Sequence, residues 1–145
     1  MPKILVIGES SKDVFVYCHA LRLAPDLPVP VLQEEFQTEN PGMAMNVWRN
    51  ISALGGDVEI ATNSNWEKIT KTRYMHSLSN HMFLRVDSSD TISPIEIENL
   101  QLDVDVIVIS DYNKGYLSEA VIEKICQLHG LVFIDTKKKL GKWAE

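Results

Sequence analysis

The hydrophobic pattern of this chain alternates between short β-branched runs and stretches with helical spacing. Lys3 to Ile7 is an apolar run closed by Gly8, the pattern of a parallel strand buried on both faces. DVEIA from Asp57, the run from Asp105 to Ile109 and LVFID from Leu131 repeat it. Pro41 to Gly56 sets Met45, Trp48, Ile51 and Leu54 near helical spacing, with Val47 beside them, and stops at a glycine pair suited to a left-handed cap. Ser118 is a good N-cap for a second helix, with Ala120, Val121, Ile125 and Leu128 as its buried stripe and Gly130 as its end. Together these elements predict an α/β fold with about four parallel strands and flanking helices.

Two stretches break the alternation. Val14 to Leu23 alternates only loosely, and the following PDLPVPVLQEEF has three prolines within six residues. Proline cannot donate to a ladder, so this segment belongs at a sheet edge or on an excursion from the main layer. Thr70 to Ser77 and His81 to Asp87 read as strands joined by a tight turn around Ser79 and Asn80.

At 145 residues, 45% hydrophobic and 23% charged, the chain can bury one core and fits a single domain over residues 1–145. A formal net charge of −6 argues against an extended nucleic-acid surface. No apolar run reaches the length of a membrane span, and MPKILV lacks the pattern of a signal peptide. Cys18 and Cys126 have no metal-site spacing, which predicts free thiols in a reducing, cytoplasmic setting with no membrane partner. The histidines lack metal-ligand grouping; for His76 and His81 cross-strand pairing is expected, and Trp48, Trp66 and Trp143 are read as core or interface fillers.

Candidate chemistry gathers at strand and helix ends. Gly42 lets backbone approach a ligand closely, and Asn46, one turn in, can both donate to and accept from hydroxyls. A helix N-terminus of that kind is a seat for a sugar hydroxyl or phosphate; the alternative is an amphipathic helix with a surface Asn. Asp111, Asn113 and Lys114 follow a strand, so they lie at the carboxyl edge of a parallel sheet, on the side of Asp13 and Asn46. The basic tail TKKKLGKWAE is read as a solvated end or short helix, with a phosphate contact by Lys137 as the other reading.

Six segments occur in a revealing order: GESSKD (8–13), PDLPVP (25–30), PGMAMNV (41–47), TKTR (70–73), LRVD (84–87) and SDYNKG (110–115). In that order they resemble the N-terminal part of the ribokinase, or phosphofructokinase-B, family of carbohydrate kinases, above all the heptose-7-phosphate kinase domain of ADP-heptose synthesis. The resemblance implies a reduced ribokinase-like, Rossmann-like layer plus a small β lid, built from segments near 14–36 and 70–87, that covers the sugar and in many members clasps a second subunit. It implies that Asp13, in a loop after the first strand, holds sugar hydroxyls; a turn-closing Asp is the plain alternative. It implies that Lys71, Arg73 and Arg85 on the lid bind the sugar's phosphate, against the alternative of cations on a solvated strand face. Gly42, Asn46, Asp111, Asn113 and Lys114 complete the implied substrate set, with no catalytic residue and no metal ligand.

The chain also departs from that family. Only TNSNWEKI separates DVEIA from the next lid strand, where full-length relatives insert a further helix and strand. Met43 stands for a glycine and Trp48 for an alanine, both additions of bulk beside the sugar. Glu9 stands where relatives often have Asp, which keeps the charge and is expected to move it outward. The family's Gly-Ala-Gly-Asp turn, nucleotide pocket and Asn-x-x-Glu metal motif belong to a C-terminal half, and the sequence ends at Glu145 before any of them.

The expectation is therefore a kinase-derived, catalytically incomplete protein that binds a sugar phosphate or related phosphorylated metabolite, as a lid-clasped homodimer. No cofactor is expected of the chain alone; ATP and Mg²⁺ enter only if a partner chain completes it. Two other readings stay open: the acceptor-binding half of a split carbohydrate kinase, and a lid-mediated interaction module regulating a full-length kinase.

Overall fold

In the computed structural model, residues 1–142 are described, so Trp143 and the end of the basic tail lie outside them. The elements run β1 (Lys3–Gly8), β2 (Ser10–Leu23), β3 (Pro30–Met43), α1 (Ala44–Ala53), β4 (Asp57–Ala61), β5 (Thr70–His76), β6 (Met82–Asp87), β7 (Val106–Asp111), α2 (Glu119–Leu128) and β8 (Val132–Thr136). They form two four-stranded sheets, one in the order β4-β1-β7-β8 and one in the order β3-β2-β5-β6.

The first sheet is parallel throughout. The apolar runs of its two central strands, β1 and β7, bury because both faces there carry other elements. Leu5, Ile7, Ile107 and Ile109 pack on one side with Leu117, Ile122 and Ile125, while α1 crosses β4, β1 and β7. Trp48 pins α1 to the sheet by donating its indole N–H to the Val58 carbonyl at 3.1 Å. α2 begins as expected, with the Ser118 hydroxyl accepting from the Val121 N–H. Its buried stripe is rotated from the expected one: Ile122 and Ile125 are buried, whereas Ala120 and Leu128 are exposed. His129 ends the helix in extended geometry and bonds the Val104 carbonyl through its ring, so no left-handed Gly130 is needed.

The second sheet is the lid. β3 and β6 are its edges, and of the clustered prolines Pro30 opens β3 while Pro25 and Pro28 lie in the connection before it. The hairpin β5–β6 turns at Asn80, with φ 55°, and the His76 N–H donates to the His81 carbonyl at 2.7 Å. A small apolar cluster of Val14, Val16 and Cys18 holds one face.

Two boundaries differ from the expected ones, for one reason. The polar GESSKD segment is not a loop: β2 starts at Ser10, a single residue after β1 ends. Likewise the first helix begins at Ala44 rather than at Pro41, because Pro41, Gly42 and Met43 finish an antiparallel ladder opposite Lys12, Ser11 and Ser10. Ladder pairing between two long strands overrides the local turn signal of Pro-Gly. At the far end of α1, Gly55 takes the left-handed conformation (φ 82°), as the glycine pair suggested.

Gly8 sits where β1 leaves the sheet, and a Cβ there would lie 1.9 Å from the Ser110 carbonyl oxygen, a backbone atom that cannot step aside. Gly8→Ala is therefore expected to lower unfolding free energy by about 4 kcal/mol or more. Urea denaturation followed by circular dichroism checks this; a wild-type midpoint would contradict the close approach of β1 and β7.

Candidate functional site

The lid joins the parallel sheet through Glu9, and this residue organises the site. Its carboxylate is fully buried, at 0% exposure. One oxygen accepts from the Tyr112 N–H at 2.8 Å and the other from the Lys114 N–H at 2.7 Å. Its own carbonyl accepts the Ala44 N–H at the start of α1. The expectation that Glu9 carries its charge outward is thus overturned: the longer side chain reaches inward to the loop after β7, where two backbone donors satisfy it. The neighbouring Ser10 is gripped by Asn63, which accepts from its N–H at 2.8 Å, and by the Thr62 hydroxyl at 2.7 Å.

From this root one face of the lid presents a charged group. In register, Asp13 pairs with Lys71 and Phe15 with Arg73 across β2 and β5, while Lys71 pairs with Asp87 and Arg73 with Arg85 across β5 and β6. Side chains of directly paired residues share a face, so Asp13, Lys71, Arg73 and Arg85 stand together. Arg73 lies 3.5 Å from the Asp13 carboxylate and over the Phe15 ring. Arg85 grips Asp87 through two bonds, at 2.6 and 2.7 Å, which raises the guanidinium further above its usual range and lowers the Asp87 carboxyl. Gly42 leaves room beside them: a Cβ there would come within 2.8 Å of the Ser11 hydroxyl and 3.0 Å of an Asp13 oxygen, so both side chains would have to shift.

Lys71 is the cation of the group whose ammonium is disfavoured. Burial pushes its ammonium below the usual lysine range, and the carboxylates of Asp13 and Asp90 oppose this only in part. Its nitrogen lies 3.2 Å from the Met43 sulfur and 5.7 Å from the centre of the Tyr112 ring, whose other visitor is Lys137 at 4.8 Å. Lys114 reaches Asp90 at 2.7 Å, and that pair raises the lysine.

The remaining expected residues are less convergent. Asp111 is buried and held by Lys138 at 2.7 and 2.8 Å, with Thr136 donating to it as well. Asn113 is exposed at φ 57°, its N–H bonded to Asp111. Asn46 is exposed on α1 and makes no side-chain hydrogen bond among the described residues. Ser11, Asp90, Tyr112 and Lys138 belong to the neighbourhood and were not singled out from sequence. Ser11 had a legible signal, the strand-to-lid position between Glu9 and Asp13; Asp90 had none, since it lies in an irregular segment.

Two buried polar atoms here lack a partner, the Ser11 hydroxyl and one Asp90 oxygen, and the Arg73 nitrogen that faces Asp13 at 3.5 Å makes no hydrogen bond. Buried polar atoms without partners are uncommon, and they mark places where water, an ion or a ligand completes the bonding. A hollow of about 650 Å³ lies elsewhere, among Thr62, Asn63, Asn65, Ser93, Asn99 and Tyr116. Its lining is neutral, and burial with the nearby Glu9 charge pushes the Tyr116 phenol up to about 12. For an anion the lid face is the better site, because the cations are there. Among the described residues no group of His, Cys, Asp and Glu is arranged to hold a metal ion, and no helix is long and apolar enough to cross a membrane.

No family model matches the sequence. Among curated proteins, the bifunctional protein HldE of Caulobacter sp. strain K31 is 32% identical over 152 residues, covering 82% of this chain and 31% of that protein. The bifunctional protein HldE of Campylobacter jejuni serotype O:2 is 32% identical over 167 residues, covering 94% and 36%. The chain thus spans about a third of the length of the curated relatives it matches. The second match is longer than the 145 residues available here, so that relative carries residues inside the matched stretch that this chain lacks. Among solved structures, phosphofructokinase-2 from Escherichia coli in complex with fructose-6-phosphate superposes with a TM-score of 0.63 at 14% identity, covering 96% of this chain and 56% of that one. A carbohydrate kinase from Agrobacterium tumefaciens gives 0.51 at 13% identity, covering 93% and 54%. At such identities the likeness establishes the fold, and it is the carbohydrate-kinase fold.

Replacing Glu9 by Gln keeps the volume and turns one acceptor oxygen into a donor facing a backbone N–H. The expected loss is about 1–3 kcal/mol of stability, as for a buried hydrogen-bond group left unsatisfied. A urea midpoint together with amide exchange at Tyr112 and Lys114 measures it, and unchanged protection at both amides would contradict the anchoring role.

Proposed function

We propose that this chain, a homologue of the HldE proteins with the fold of the ribokinase-like carbohydrate kinases, binds a sugar phosphate or related phosphorylated metabolite without phosphorylating it on its own. The observation that carries the reading is the lid face: Lys71 stands beside Asp13 in register and Arg73 lies 3.5 Å from it, with the unpartnered Ser11 hydroxyl and Asp90 oxygen around them. A phosphate offers acceptors to the two cations, and Arg73 can present its fork to two oxygens at once. Adjacent hydroxyls of a sugar would donate to Asp13, which an ionised carboxylate accepts without a donor of its own.

The proposed lack of phosphoryl transfer is supported by how most of the nearby carboxylates are engaged. A base for a sugar hydroxyl must be free to take its proton. Here Glu9 holds two backbone N–H groups, Asp111 holds Lys138 and Thr136, Asp87 holds Arg85 and Asp90 holds Lys114. Asp13 is loosely paired, and its part in this reading is to hold the acceptor. The lid also carries exposed Phe36, Met82, Leu84 and Val86, apolar surface suited to covering by a second copy, which supports a homodimer clasped through the lid.

A second reading has its own observation. β8 is an edge strand of the parallel sheet, and Phe133 on it is 58% exposed beside a shallow hollow lined by Val47 and Val108. Parallel sheets are normally covered on both faces. A further strand and helix from a separate polypeptide would cover this one, and in that case ATP and Mg²⁺ would arrive with the completing chain as parts of a split kinase.

Calorimetric titration with heptose phosphates and with fructose 6-phosphate tests the leading proposal. Lys71→Met is expected to weaken binding at least about tenfold, the equivalent of 1.4 kcal/mol; a folded wild-type protein giving no heat with any sugar phosphate would remove the reading. Because burial lowers the Lys71 ammonium, affinity is expected to fall as pH rises through that lowered value, and binding on the alkaline side should take up protons. Titrations in buffers of different ionisation enthalpy read that uptake directly.

A further inference from the structure

Three observations meet at Met43. Its backbone sits at φ 58°, ψ −132°, a conformation that L side chains rarely adopt and that persists only where the surroundings enforce it. The enforcing contacts are the ladder to Ser10 on one side and the bond from the next residue's N–H to the Glu9 carbonyl on the other. The side chain is 8% exposed and reaches the lid, where its sulfur lies 3.2 Å from the Lys71 nitrogen. Beside it the Ser11 hydroxyl is buried with no partner.

A thioether is a weak acceptor for an ammonium group, far weaker than a phosphate oxygen. It nevertheless takes up the room through which an oxygen would approach Lys71. We propose that Met43 is the specificity-determining residue of this site: its thioether covers Lys71 in the free protein and must swing away for a phosphate oxygen to take its place. This rests on the phosphate-binding reading above and adds to it the residue that controls entry. The cover selects for ligands whose anionic group binds strongly enough to displace it, and it disfavours neutral sugars, whose hydroxyls offer Lys71 only uncharged acceptors.

Inorganic phosphate is the first probe, titrated calorimetrically into the wild type, Met43→Gly and Met43→Leu. Glycine accepts the backbone conformation and removes the cover, so its affinity should rise by about tenfold; leucine keeps the bulk and should stay near the wild type. Met43→Ala, shortened to the Cβ, should lie between them and serves if the glycine variant is poorly folded. In the wild type with ¹³C-labelled methionine methyls, the signal that disappears in Met43→Leu should be the one that moves most when phosphate is added. Equal phosphate affinity in the wild type and in a folded Met43→Gly or Met43→Ala, or a Met43 methyl signal that does not move, would overturn the proposal. Fructose 6-phosphate in the same series separates the two claims. A gain for phosphate with no added affinity for the sugar ester supports the cover while removing the sugar part of the proposed function.

Discussion

A single buried carboxylate holds this protein's two sheets in relation to each other. Glu9 occupies the one residue between β1 and β2, where the chain leaves the parallel layer for the lid. Its side chain binds the loop after β7 and its carbonyl binds the start of α1. A buried carboxylate is costly unless donors meet it, and here two backbone N–H groups do. The same bonds fix the loop that carries Tyr112, the platform beneath Lys71 and Lys137. The lid's cations are thus placed by a constraint at its root as much as by the ladder that carries them.

The lid face shows how strand register substitutes for a deep pocket. Period-two alternation puts Val14, Val16 and Cys18 on one side of β2 and Asp13 and Phe15 on the other. Pairing with β5 then lines Lys71 and Arg73 up beside Asp13 with no loop required to bring them there. A one-residue slip would exchange the apolar and charged faces, so the buried trio of Val14, Val16 and Cys18 specifies the site's register as well as its stability.

Much of the architecture could be read from the residues. The parallel runs, the edge strand opened by Pro30, the turn at Asn80 and the Ser118 cap each follow from local chemistry, and the structure has them in those roles. The homology to carbohydrate kinases rested on collinear segments, and the sequence and fold relatives agree with it. What local chemistry hides is pairing over distance. GESSKD and Pro41–Met43 look like loop and helix start because their partners lie about thirty residues away in the chain; only the ladder makes both of them strand. Glu9 was misjudged for a related reason: a charge beside a strand end suggests solvent, and its true partners are backbone groups more than a hundred residues on.

The parallel sheet carries a kinetic implication in its strand order. β1 is the first strand of the chain yet sits inside the sheet, with Ile4 opposite Val58 on one side and Val106 on the other. Contacts of such long sequence separation require closing large loops before they reward the chain, which slows folding. During synthesis the apolar stretch from Ile4 to Ile7 can pair with β4 on one side, but its other edge stays open until β7 has left the ribosome, by which time the lid hairpin can already pair.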